Sequence, residues 1–181
     1  MIVISCHADT NFREVTLKKL PGGIVEGHLD NFSGVHAVMK AYFSGKMSRP
    51  GVRIELTYGE EQGLLGAQEV AKTLKREDIV LVVDVTGTPT KKDFVVEKCR
   101  DPRLQKLLKK AFRGLSYDLY PDCPDPISTC DEVDVYSKVC DLTCFIGVPV
   151  TGGDYNAGVV RCRTRSLDAI AQALCRAAGL K

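Results

Sequence analysis

The sequence predicts an α/β fold: a three-layer sandwich with a mostly parallel, mixed central sheet and helices on both faces. Three features predict it. Apolar residues recur with the period of a strand and the period of a helix in turn along the chain. One run, Ile79-Val80-Leu81-Val82-Val83, is apolar throughout and almost wholly β-branched, which suits a central strand covered on both faces. The 181 residues are 44% hydrophobic, enough for one sizeable core, so residues 1–181 read as a single domain.

In chain order, Ile2 to Ile4 opens as a strand, and Phe32, Val35, Val38, Met39 and Tyr42 then recur at helical spacing. Val52 to Leu56 half-alternates as a strand, and Leu64, Leu65, Ala67, Val70, Ala71 and Leu74 mark a second helix. After the central strand, Phe94 to Val96 is a further strand, and Leu104, Leu107, Leu108, Ala111 and Leu115 form a helix started by Pro102. Tyr120 to Thr129 holds three prolines and reads as an extended loop. Cys144 to Val150 is a strand stopped by Pro149 and the Gly152-Gly153 pair. Leu167, Ile170, Ala171, Leu174 and Ala178 close the chain as a helix ended by Gly179.

Charge and composition exclude several function classes. The 25 Lys and Arg against 23 Asp and Glu leave a net +2, and the Lys pairs at 18–19, 91–92 and 109–110 are separate, so no nucleic-acid or membrane partner is predicted. No apolar run approaches the roughly 20 residues that span a bilayer, and the start lacks a signal peptide's charged flank, so a cytoplasmic location is expected. The eight cysteines form no Cys-x-x-Cys pair and read mostly as small buried hydrophobes.

Open α/β sheets bind ligands beyond the carboxyl ends of their strands. His7 and Asp9 follow the first strand, Glu60 and Glu61 follow the strand ending near Thr57, and Asp84 follows Val83. Asp30 precedes the first helix, where an aspartate alone would read as an N-cap, and Gly34 allows a close backbone approach. Glu60-Glu61 alone would likewise read as first-turn acids favoured by a helix dipole. Taken together, the acids Asp30, Glu60, Glu61 and Asp84 would repel one another in a shared cleft unless cations neutralised them, which points to a divalent metal. Imidazole from His7 with carboxylate oxygens suits Zn²⁺ best and accommodates Mn²⁺ or Co²⁺. Asp9 is spaced to fix the ring tautomer of His7.

Cys6-His7-Ala8-Asp9-Thr10, Leu29-Asp30-Asn31-x-x-Gly34, Thr57-x-x-Glu60-Glu61-x-Gly63 and Asp84, in this order and spacing, resemble the co-catalytic zinc exopeptidases: aminopeptidases, carboxypeptidases and N-acyl-amino-acid deacylases. The resemblance extends more loosely through Cys130-Asp131-Glu132 and Gly147-Val148-Pro149 to Gly153-Asp154-Tyr155-Asn156. It implies that His7 and Asp84 bind one metal, Glu61 the other, and Asp30 bridges both, with Glu60 as general base and Asp9 orienting His7. It also implies a late histidine ligand after a tyrosine, but the three histidines are His7, His28 and His36, and the matching position is Asn156. Asn156 or Asp154 is the candidate replacement, so one or two ions are expected; His28 is a further candidate ligand, and His36 reads as an ordinary helix residue.

Relatives usually carry a segment before the first His motif or an inserted lid or dimerisation domain, so a minimal or truncated domain with reduced substrate walls is expected. The predicted activity is cleavage of a peptide amide in the manner of an aminopeptidase, with the loops Thr86 to Pro89 and Gly152 to Gly158 lining the mouth. An N-acyl-amino-acid deacylase is the alternative; Tyr155 or one of Arg161, Arg163 and Arg165 would then hold a substrate carboxylate, although alternating arginines also fit an exposed strand face. A catalytically inactive metal- or partner-binding domain is the alternative of another class. A cysteine hydrolase built on Cys6 is disfavoured, since Cys6 and His7 point to opposite faces of one strand. A homo-oligomer is left open.

Overall fold

The computed structural model describes residues 1–128 and 130–180. The chain runs β1 (Ile2–His7), β2 (Leu17–Leu20), β3 (Ile24–Gly27), α1 (Phe32–Phe43), β4 (Val52–Thr57), α2 (Leu65–Ala71), β5 (Ile79–Thr86), β6 (Phe94–Glu97), α3 (Pro102–Ala111), β7 (Tyr117–Leu119), α4 (Glu132–Tyr136), β8 (Leu142–Pro149), β9 (Val160–Arg163) and α5 (Thr164–Ala177). Six strands form the main sheet in the order β4-β1-β5-β8-β6-β7. The four from β4 to β8 are parallel, and β6 with β7 runs against them. Strands β2, β3 and β9 make a small antiparallel sheet.

Alternation along the central strands builds the layers, because successive side chains leave opposite faces. Ile2, Ile4, Ile79, Leu81 and Val83 pack with Ala37, Val38, Leu104, Leu108, Ile170 and Leu174 under α1, α3 and α5. Val3, Val80 and Val82 pack on the other face with Ala67, Val70, Val133 and Tyr136 of α2 and α4. The expected three-layer sandwich is therefore present, and β5 is central as its unbroken apolar run implies.

Several elements differ from the sequence reading. Strand β5 continues to Thr86, so Asp84 lies within it rather than just past its end. Helix α2 begins at Leu65, with Leu64 in the left-handed region at φ 62°, so Glu60 and Glu61 occupy the preceding turn and are not first-turn acids of the helix. Of the alternating arginines, Arg161 and Arg163 lie on β9 but Arg165 belongs to α5. The unforeseen elements are short: β2 is largely exposed, and β7 has three residues, too few to show a period. Tyr120 to Ser128 forms neither helix nor strand, and Thr129 lies outside the described residues. Among the described residues no helix is long and apolar enough to cross a membrane.

The topology fixes where a site can form. From β1 the chain passes through α1 to β4 on one side, then through α2 to β5 on the other side of β1. The carboxyl end of β1, which carries His7, is thus a topological switch point, where ligand crevices open in such sheets.

Candidate metal centre

The entry to α1 decides what Asp30 is free to do. Asn31, not Asp30, is the N-cap: its Oδ1 accepts the Gly34 amide at 3.0 Å, and its Nδ2 donates to the Val83 carbonyl at 2.9 Å. A Cβ on Gly34 would come within 2.2 Å of Asn31 Oδ1, so glycine lets the cap seat. Asp30 is thereby free of the capping role it would have if read alone; its neighbour satisfies the helix, and the Asp30 carboxylate turns to His7.

His7 is 1% exposed at the end of β1. Its Nε2 lies 3.1 Å from Asp30 Oδ1 and 3.1 Å from Asp84 Oδ2, while Nδ1 faces Asp9 Oδ1 at 3.6 Å. Neither ring nitrogen, nor Asp30 Oδ1, makes a hydrogen bond of proper geometry in the protein. Buried polar atoms rarely go unpaired. Here the unpaired atoms converge: among the described residues, His7, Asp30 and Asp84 form the one group of ligand-type side chains whose donor atoms all lie within 4.8 Å of one another. One imidazole with two carboxylates is a donor set suited to a divalent ion of the zinc type. The residues present fit such an ion.

The electrostatics agree. Burial alone would depress the His7 pKa, but the Asp84 charge and close contact with both carboxylates push it up to about 12. Burial raises Asp84 to about 7 against the pull of His7, with Asp30 adding to the rise. A cation at this point would replace the proton on which the cluster otherwise depends.

Glu60 stands at the mouth, in a cleft lined also by Asp30, Asp84, Ser128, Cys130, Asp131, Phe145, Tyr155 and Asn156. Burial, opposed by His7 and reinforced by Asp84, Glu61 and Asp30, pushes its carboxyl up to about 8. Asp9 joins the two halves of the site, because the same Oδ1 that faces His7 accepts the Glu60 amide at 3.4 Å. Glu61 lies outside the close group; its Oε2 accepts from Asn11 Nδ2 at 2.7 Å, and burial followed by Asp30 raises its pKa. Asn156 lines the cleft, and its Nδ2 donates at 3.2 Å to Asp154, which also accepts the Asn156 amide and so shapes the turn. Tyr155 lines the cleft as well, its hydroxyl donating to Asp125 Oδ2 at 2.8 Å.

His28 is placed elsewhere, its Nδ1 accepting the Thr16 amide at 3.0 Å and its ring against Phe12. His36 is an exposed residue of α1. Cys6 is fully buried and accepts from Asn31 Nδ2 at 3.3 Å; burial and the nearby carboxylates hold its thiol well above the usual range. It is no nucleophile in this setting. Brief iodoacetamide treatment of the folded protein at neutral pH is expected to label exposed Cys130 and spare Cys6, as read by peptide mass spectrometry; rapid labelling of Cys6 would contradict its placement.

Two supporting carboxylates escaped sequence reasoning. Glu132 of α4 is buried and accepts from Ser5 Oγ at 2.7 Å and from Thr57 Oγ1, tying β1 to the end of β4. Asp125 accepts from Thr86 Oγ1 at 3.2 Å and the Gly87 amide at 2.8 Å as well as Tyr155, and so joins the proline-rich loop to two walls of the cleft. Cys130-Asp131-Glu132 offered a loose motif for the first. Nothing in the sequence marked Asp125.

The model of peptidase family M28 matches residues 1–130. No curated protein sequence matches the chain. Solved structures share its fold: PhTET1-12s, described as a dodecamer, superposes with a TM-score of 0.73 at 18% identity, over 90% of this chain and 53% of that one. Aminopeptidase APDkam598 from the archaeon Desulfurococcus kamchatkensis gives 0.71 at 15% identity, over 90% and 51%. An M18-family aminopeptidase from Thermotoga maritima gives 0.67 at 10% identity, over 92% and 49%. The chain thus spans about half the length of each. With the match covering 130 of 181 residues, and with the motifs from His7 to Asp84 inside it, the chain belongs to peptidase family M28, among the co-catalytic zinc exopeptidases.

Proposed function

We propose that this protein is a metal-dependent aminopeptidase. The observation that carries the reading is the polarity of the cleft. Its lining holds Asp30, Glu60, Asp84 and Asp131 and, among the described residues, no Lys or Arg. With Asp30 and Asp84 given to the metal and Asp131 paired with Lys98 at 3.0 Å, the lining offers no cationic side chain to the carboxylate of an N-acyl amino acid, which weighs for a peptide's free amino terminus. The arginines weighed for a carboxylate are engaged elsewhere, Arg161 with Glu26 and both Arg163 and Arg165 with Asp93.

In this reading His7, Asp30 and Asp84 would hold one ion, and Asp30, Glu61 and Asn156 or Asp154 would be the residues available to a second. Zinc suits the donor set best, with manganese or cobalt as substitutes. A bound ion supplies Lewis acidity, polarising the scissile carbonyl and acidifying a water molecule. Glu60 accepts the water's proton on its carboxylate and delivers it to the leaving amine. Asp9 keeps the His7 ring turned so that Nε2 faces Asp30 and Asp84. The absence of an imidazole at Asn156 favours a second reading, a metal-binding domain without turnover.

The test compares release of nitroaniline from an aminoacyl p-nitroanilide with release of free amine from an N-acetyl amino acid, in zinc, manganese and cobalt. Turnover confined to the free-amine substrate is expected. Preference for N-acyl amino acids would move the assignment to a deacylase, and ion uptake without turnover of any substrate would favour the inert module.

A further inference from the structure

The entries to α1 and α4 share one construction. Asn31 caps α1, and Asp30 before it faces the cleft. Asp131 caps α4 in the same way: its Oδ1 accepts the Val133 amide at 2.8 Å, and Asp134 Oδ2 accepts the Asp131 amide at 3.1 Å. Cys130 is the residue before that cap, and it lines the cleft that Asp30, Glu60 and Asp84 also line.

The wall that carries Cys130 is firmly held. Lys98 Nζ lies 3.0 Å from Asp131 Oδ2 and 2.7 Å from Asp134 Oδ2, which fixes the turn from the other side. The residue after the cap, Glu132, is bonded to Ser5 of β1 and Thr57 of β4, so residues 130–132 are anchored to the strands that end at His7 and at Thr57. The cavity between the walls is small, about 40 Å³, room for a few water-sized groups. Asp30 lines it while 4% exposed and with Oδ1 unpaired, which points to a cation there.

Most donors around this cavity are hard. Asp30, Glu60, Asp84 and Asp131 offer carboxylate oxygens, and Asn156 offers an amide whose Nδ2 is bonded to Asp154. Oxygen donors by themselves suit manganese or magnesium, and a thiolate restores the preference for zinc. Among the described residues that line the cleft, Cys130 is the one with sulfur.

We propose that Cys130 is a thiolate ligand of the second ion, sharing that ion with Asp30 and supplying across the cleft the strong donor that the Asn156 amide is not. The proposal rests on the metal-dependent reading above and adds a ligand to it. Cys130 stands outside the close group of His7, Asp30 and Asp84, as the ligand of a neighbouring ion should. On binding, the thiol gives its proton to solvent and the sulfur takes the metal.

Cobalt reads this bond directly, because a cobalt–thiolate bond gives an intense near-ultraviolet charge-transfer band that oxygen and imidazole ligands do not. The parent protein titrated with cobalt is expected to show that band beside the visible bands of the bound ion. Cys130→Ser is expected to lose the ultraviolet band while still taking up cobalt at His7, and Asn156→Ala to keep it. Should Cys130→Ser fold poorly, the parent supplies a second measurement: saturating zinc should shield Cys130 from iodoacetamide, and a chelator should restore labelling. Bound cobalt without the ultraviolet band, a band that survives in Cys130→Ser, or undiminished labelling of Cys130 under zinc overturns the proposal and leaves the aminopeptidase reading standing. A parent protein that takes up no cobalt overturns both.

Discussion

Glu60→Gln is expected to lower aminopeptidase turnover about 10²- to 10⁴-fold, the usual contribution of a positioned general base. Glutamine preserves the length and most of the hydrogen bonding of the side chain but cannot take a proton. Glu60 has the placement the role requires: it lines the same cleft as Asp30 and Asp84, yet it is absent from the close group around His7. In the metal-free protein burial pushes its carboxyl up to about 8, and a cation held by Asp30 and Asp84 would draw it back toward the ionised form a base requires. The substitution should therefore reduce kcat with little change in KM, and the variant should take up the same number of ions as the parent. Steady-state kinetics on a free-amine anilide, with metal content measured on the same samples, checks both halves. Activity within about tenfold of the parent would assign proton transfer to another group. Equal loss of metal and activity would make Glu60 a ligand.

His7 and Asp84 were legible in the sequence because each is a polar residue following an apolar run, although β5 itself continues past Asp84 to Thr86. Asp30 was legible by its place just before a helical pattern. The role of Asp30 against Asn31 was less legible. Both residue types cap helices well, and only the hydrogen bond from Gly34 shows that Asn31 takes the cap. Strand β2, with both lysines outward and no buried residue, offered no alternation to detect. Glu132 was hidden for a different reason: its partners Ser5 and Thr57 lie 127 and 75 residues away in sequence, and a carboxylate stays buried only because those hydroxyls meet it. Tyr155 was legible as a residue of the cleft, but the acceptor of its hydroxyl, Asp125, was concealed among prolines. What periodicity fixes is backbone position; which partner a polar group finds is settled by tertiary contacts that no local pattern encodes.

Metal-free protein is expected to lose stability steadily from about pH 4 to pH 8, and a divalent ion to restore most at the alkaline end. In the fold Asp84 rises from its ordinary 3.8 to about 7 and Glu60 from 4.5 to about 8. A carboxyl with a higher pKa folded than unfolded holds its proton more tightly in the native state. Its favourable contribution is complete below the unfolded value and is lost as pH climbs through the folded one. His7, raised from 6.5 to about 12, has the same sign over a higher window: its contribution is complete below 6.5 and drains away as pH rises toward 12. An ion needs His7 neutral and the carboxylates ionised, so it competes with these same protons and binds more tightly as pH increases. With free ion about 1,000-fold above its dissociation constant, stabilisation reaches about 4 kcal/mol, or about 10 °C in Tm for a chain of this size. Thermal melts with and without zinc from pH 5 to 8.5 should show a gap that widens with pH in the parent and vanishes in His7→Ala. A gap that ignores pH, or that survives in His7→Ala, would mean the ion binds away from His7, Asp30 and Asp84, and the buried unpaired nitrogens of His7 would need another explanation.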